Sequence, residues 1–290
     1  MSSNNNNPQT LAFFGATGGC ALATLTRALL SPDTYHIRAL ARTPQKLTDL
    51  LLAKHVPQST LDARLTIISG NVKDEQAVRT TLTVSSSSSS SSSSVSSSSG
   101  ARPALVNKII GGIGGAPKLR LHPIPFTLDD TTICATAVAT ILAALSSLQA
   151  FQSAVGSATS TAQKPLLVVV STTGISARAR DVSWALWALY HWLLAAPHQD
   201  KREMERLLAK SEQRFVAVRA SLLVDGEAAP LEKVREGWEL PEGWRAAEKG
   251  REGPGPAIGY TITRESVGSW IFERCVRGEG WEGRMASVTE

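Results

Sequence analysis

Leu11-Ala12-Phe13-Phe14-Gly15-Ala16-Thr17-Gly18-Gly19-Cys20-Ala21 is the stretch on which the fold turns. Four apolar residues at 11–14 predict a short buried strand that stops at a glycine turn. The spacing then predicts a helix over 21–30, ended near Pro32. Gly15, Gly18 and Ala21 fit the pattern G-x-x-G-x-x-A between that strand and that helix. The first glycine permits a tight turn, the second lets a pyrophosphate approach the backbone, and the small third residue lets helix and strand pack closely. The helix N-terminus offers unpaired N–H groups to an anion. Gly15, Ala16, Thr17, Gly18, Gly19 and Cys20 are therefore candidate cofactor-binding residues, and the implied ligand is a dinucleotide.

Outward from this loop, short apolar runs alternate with amphipathic ones. Strands are predicted at 35–40, 65–69, 105–110 and 166–170, with helices at 44–54, 74–82 and 130–151. Such alternation implies βαβ units and a parallel sheet. The expected class is α/β: a Rossmann fold with a doubly wound parallel sheet and a small C-terminal substrate-side lobe. Further on, a helix is predicted at 199–210, strands at 215–219 and 257–263, a helix at 264–276 and a last short strand at 285–288. Residues 10–290 read as one domain, after a polar, Asn-rich N-terminus (1–9) expected to be disordered. The run from Ser85 to Ser99 is serine apart from Val95. It has no apolar side chains to offset the entropy of ordering, so 84–101 is expected to be a disordered insertion without chemistry. Residues 178–198 and 220–256 are the expected substrate-side elements. The first is rich in aromatics, with Trp184, Trp187, Tyr190 and Trp192, and suits a pocket wall.

The end of the second strand distinguishes the cofactors. An acid there would accept from a ribose 2′-hydroxyl and favour NAD(H). Arg38-Ala39-Leu40-Ala41-Arg42 has none, and Arg42 is placed to meet a 2′-phosphate through a charge-assisted bond. NADP(H) is therefore expected over NAD(H). The glycines of the 111–115 loop suit close backbone approach to a ligand, which makes Gly112 and Gly114 candidates.

Composition narrows the class. The chain has 290 residues, 42% hydrophobic and 19% charged, with a formal net charge of +5. Its basic residues are scattered, so no nucleic-acid stripe is expected. Cys20, Cys134 and Cys275 form no CxxC pair and have no zinc spacing, so no metal site is expected and the thiols read as free. Neither a signal peptide nor a membrane span is expected, and the chain reads as cytoplasmic.

Phe14-Gly15-Ala16-Thr17-Gly18-Gly19, Arg38-Ala39-Leu40-Ala41-Arg42 and Gly70-Asn71-Val72 together resemble the atypical short-chain dehydrogenase/reductases. The nearest group is the NmrA-like and flavin/biliverdin-reductase-like NAD(P)H-binding proteins, with fungal members. The resemblance spans about 11–288 outside the serine run and is most specific in the first third. It implies an oxidoreductase acting on an unknown small molecule, such as a flavin, quinone or carbonyl compound. It also allows a non-catalytic NADP(H)-sensing regulator. It implies that Asn71 and Val72 lie near the adenine, with Asn71 replacing the family's usual acid. Thr263-Arg264-Glu265-Ser266-Val267 resembles a structural signature at a helix start.

In the wider superfamily a Ser follows the fifth strand and a Tyr-x-x-x-Lys lies on the next helix. Ser171 and Thr172 fit the first position and Lys201 fits the lysine, but Pro197 stands where the tyrosine would be. Three readings stay open: a substrate that needs no protein acid, His198 as acid/base beside Lys201, or Tyr190 brought in from the aromatic segment. A binding role alone for Lys201 is a fourth.

Overall fold

In the computed structural model, residues 9–84, 104–115, 117–119, 126–154, 164–183, 195–244 and 253–290 are described. One sheet organises them. Its strands are β1 (Gln9–Phe14), β2 (Tyr35–Ala41), β3 (Leu65–Ser69), β4 (Lys108–Gly111), β5 (Leu166–Thr172), β6 (Phe215–Ala220), β7 (Arg235–Glu239) and β8 (Arg284–Thr289). Their order is β7-β8-β6-β5-β4-β1-β2-β3. All neighbours are parallel except β7, which runs antiparallel to β8 at the edge. The chain leaves β1 toward β2 on one side and returns on the other to β4. The carboxyl ends of β1 and β4 therefore form the topological switch point where an open α/β sheet opens a crevice.

Both sheet faces are apolar, because successive side chains on a strand point to opposite sides. One face takes α1 (Gly19–Leu30), α2 (Pro44–Ala53), α3 (Gln58–Arg64) and α7 (Arg264–Ile271), burying Leu25, Leu47, Leu61 and Trp270. The other takes α4 (Glu75–Leu82), α5 (Ile133–Ala154) and α6 (Ala195–Lys210), burying Val78, Ile141 and Leu208. This is the doubly wound Rossmann architecture.

The expected elements differ in their details. Helix α5 starts at Ile133 rather than 130, because Asp130 holds the preceding residues in a turn, its carboxylate accepting from the Thr132 N–H at 3.1 Å. Ile133–Ser153 is long and apolar enough to cross a membrane by length and composition, against the sequence expectation. In the fold its apolar stripe packs on the sheet between α4 and α6. Helix α6 begins at Ala195 and takes Pro197 into its first turn, where a missing N–H is tolerated. The helix expected over 264–276 ends as α7 at Ile271 and continues as a π-helical turn, Phe272–Arg277. Lys108 Nζ donates to the carbonyls of Cys275 and Val276 in that turn. Only Thr261–Thr263 of the strand expected at 257–263 forms; it pairs with Leu222–Val224 in a separate two-stranded sheet. Two boundaries change: Gln9 already belongs to β1, and Val84 pairs with Ala104 in a small strand pair. The rest of the serine run and the aromatic segment at 184–194, with Tyr190, lie outside the described residues.

Candidate active site

The cleft opens at the switch point. It has a volume of about 350 Å³ and is lined by Gly15, Thr17, Gly18, Arg42, Asn71 and Val72, with Gly112 and Gly114 from the loop after β4. Gly15 has φ +73°, a left-handed conformation that bulky side chains avoid. A Cβ on Gly15 would also stand 2.9 Å from the Gly112 backbone, and one on Gly112 would stand 2.5 Å from Ala21 Cβ. The two glycine segments are thus in contact, tied by the Gly112 N–H donating to the Phe14 carbonyl at 2.9 Å. A side chain at either position would fill the cradle.

Helix α1 begins on this cradle. Its N-cap is Gly18, with no side-chain hydrogen bond at the cap and no acid in the first turn. An N-terminus left this way has N–H groups and the positive dipole end available to an anion. Ala16 and Cys20 are buried behind the loop. The Cys20 thiol is pushed up to about 11 by burial, so it is neutral packing and not a nucleophile. Gly19 lies under the Arg264 side chain, whose guanidinium pairs with Asp225 at 2.7 Å.

The two arginines at the end of β2 separate by function. Arg38 donates to the Thr80 and Thr81 carbonyls, at 2.9 and 3.2 Å, and so caps α4. Arg42 is exposed and lines the cleft. Asn71 also lines it, and its Oδ1 accepts the Lys73 N–H at 3.1 Å. Sequence reasoning missed the opposite wall. Lys73 pairs with Asp130 at 2.6 Å, joining the loop after β3 to the start of α5, and both line the cleft beside Asp129. The hydrogen bond from Lys73, helped by Thr132, holds the Asp130 carboxyl below its ordinary range.

The residues expected beyond the phosphate loop are brought to the carboxyl ends of β4 and β5, but none of Ser171, Thr172, His198 and Lys201 lines this cleft. Lys201 Nζ donates to the Val170 carbonyl at 2.6 Å and to the Ile113 carbonyl at 3.2 Å, bridging the two strand ends. Its neighbour Asp200 accepts the N–H groups of Cys134 and Ala135, both at 2.9 Å, and caps α5. His198 is buried in the same turn. The Thr172 hydroxyl donates to the Thr173 carbonyl at 3.2 Å. Ser171, expected beside the substrate, is buried, and its hydroxyl donates to Glu205 Oε1 at 2.6 Å. The reason is a charged network on that sheet face. Glu205 holds Arg219 through Oε2 at 2.7 Å and Oε1 at 3.0 Å, and Arg219 reaches Glu239 on β7. Burial alone would lower the Arg219 pKa, but the two carboxylates outweigh it and raise it.

No family model matches the chain. It is 38% identical to Reductase pytE of Aspergillus terreus, covering 97% of both chains. It is 37% identical to Oxidase pynE of Aspergillus niger, over 97% of this chain and 98% of that one. Among solved structures it superposes on a short-chain dehydrogenase/reductase from Veillonella parvula in complex with NADP, with a TM-score of 0.60 and 17% identity over 97% and 94% of the two chains. It superposes also on ChuY, an anaerobillin reductase from Escherichia coli O157:H7, with a TM-score of 0.57 and 16% identity over 97% of each. At these identities the structural matches bear on the fold.

Proposed function

The chain belongs to the family of the Aspergillus proteins Reductase pytE and Oxidase pynE, and on that premise we propose that it is an NADP(H)-dependent oxidoreductase of a small organic substrate. The observation that carries this reading is the uncapped, acid-free N-terminus of α1, set between Gly15 and Gly112, with Arg42 on the same cleft. The backbone of residues 17–19 would hold the pyrophosphate, Arg42 the 2′-phosphate, and Asn71 and Val72 the adenine side. The nucleotide, when bound, supplies a hydride donor or acceptor. The NADP complex of the Veillonella neighbour is in keeping with this assignment.

Past the nucleotide, Lys201 is a positioning residue. Its ammonium fixes the Ile113 and Val170 carbonyls, which shape the floor where the nicotinamide end would lie. Pro197 occupies the tyrosine position, and Ser171 has its hydroxyl on Glu205. Both observations favour a substrate that takes a hydride and exchanges its proton with water, such as a flavin or quinone. They also favour a second reading, a non-catalytic NADP(H) sensor.

NADPH oxidation against flavin, quinone and carbonyl acceptors separates the two. The oxidoreductase reading expects turnover with at least one acceptor. Tight NADPH binding without turnover on the whole panel would contradict it and leave the sensor.

A further inference from the structure

A second groove lies on the α6 side of the sheet, beyond the last helix of that layer. Its volume is about 290 Å³, and none of its lining residues belongs to the dinucleotide cleft. On this face β6 presents Phe215 and Ala217 to the core and then Arg219. In register beside Arg219 stand Ser171 on β5 and Ser287 on β8, both small and polar. The sheet thus changes from apolar to charged where helix cover ends. Burying ions is costly unless they are paired, and a paired cluster that lines a cavity is a candidate functional site.

Donors and acceptors are arranged in two tiers. The floor is Glu205, Arg219 and Glu239, all buried, with two carboxylates to one guanidinium. Arg219 spends Nε and Nη2 on Glu205 and Nη1 on Glu239, whereas a carboxylate has about four acceptor positions. The Ser176 hydroxyl reaches both Glu239 oxygens, Oε1 at 2.8 Å and Oε2 at 2.9 Å, and Arg219 takes Oε1, which leaves Oε2 the less engaged of the two. The rim carries Arg178, Arg202 and Arg206, all exposed, with one acid, Glu242, so its cations are in excess. Arg178 is held in place by the Pro241 and Trp244 carbonyls at 3.0 and 2.6 Å. Arg202 makes a long bond of 3.4 Å to the Gly174 carbonyl, and Arg206 stands 3.8 Å from Glu203. Rim guanidiniums attract an anion, while the floor repels one and accepts hydrogen bonds instead. We infer that this groove is a second binding site, for a small carboxylate that carries hydroxyl groups. The carboxylate meets Arg202 and Arg206, and the hydroxyls donate to the floor.

The test is calorimetric titration of the full chain with L-malate and with citrate, at constant ionic strength and without nucleotide. Saturable binding is expected, weaker for succinate, which lacks the hydroxyl. Arg202→Gln and Arg206→Gln should each weaken malate binding about tenfold, the loss of one charged hydrogen bond. Both residues are exposed on α6, so the variants should fold and keep wild-type affinity for NADP+. Absence of saturable binding by malate and citrate overturns the inference. So does binding that both variants keep, binding that NADP+ competes away, or inorganic phosphate binding as tightly as malate. The groove shares no residue with the cleft, so failure here leaves the dinucleotide reading intact.

Discussion

Gly112 and Arg42 are where single side chains decide what the cleft can hold. A valine at 112 would drive into Ala21 and part the two glycine segments. Gly112→Val is expected to abolish NADPH binding in a fluorescence titration, with a stability cost of about 1–3 kcal/mol from overpacking. Undiminished binding would remove the cradle from the site. Arg42→Asp should weaken NADP+ by about tenfold or more relative to NAD+, since a charge-assisted bond becomes a repulsion. An unchanged ratio of the two dissociation constants would place the 2′-phosphate elsewhere. At this scale the meeting of the glycine loop and Arg42 on one cleft was legible because the signal is local, carried by seven contiguous residues and one strand end. Lys73–Asp130 and Glu205–Arg219–Glu239 were not. These pairs join residues far apart in sequence, and a lone Lys or Glu has no periodicity to announce its partner.

Among the elements, α5 and α6 depend on each other through Asp200. Its carboxylate takes two N–H groups at the α5 N-terminus, where negative charge is also favoured by the helix dipole. Asp200→Ala should cost about 1–2 kcal/mol, as loss of an N-cap does, and Asp200→Asn much less. Thermal melting of the two variants checks this; equal losses would mean that the cap is not what matters. The long, strongly patterned elements were readable: β1, β2, β3, α1, α4 and β5 stand within a few residues of their expected places. The missed ones have physical reasons. Helix α3 is seven residues long, too short to show a period. Strand β7 reads Arg-Glu-Gly-Trp-Glu, and its pairing comes from β8 rather than from its own propensity. The π-helical turn after α7 is held partly by Lys108, a tertiary contact that periodicity does not register.

For the molecule as a whole, the eight-stranded order puts one crevice at the junction of β1 and β4, and the strand–helix alternation was enough to foresee that. Burial in the two helical layers also sets a pH limit. The thiols of Cys20, Cys134 and Cys275 are raised by burial from 9.0 to about 11, 11 and 12. A folded-state pKa above the unfolded one gives stability that is complete below the unfolded value. That stability is then lost as pH rises through the folded values. The melting temperature should therefore fall as pH climbs from about 9 toward 11. At about pH 8 iodoacetamide should leave all three thiols unmodified until the chain is unfolded. Rapid alkylation of the native protein would show a layer less closed than described. The claim on which the rest depends is that the α1 N-terminus holds a dinucleotide phosphate. Calorimetric titration with NADP+ and NAD+ tests it most directly. Saturable binding of one nucleotide per chain is expected, tighter for NADP+, and lost in Gly112→Val. No saturable binding of either nucleotide to the wild-type chain would contradict it.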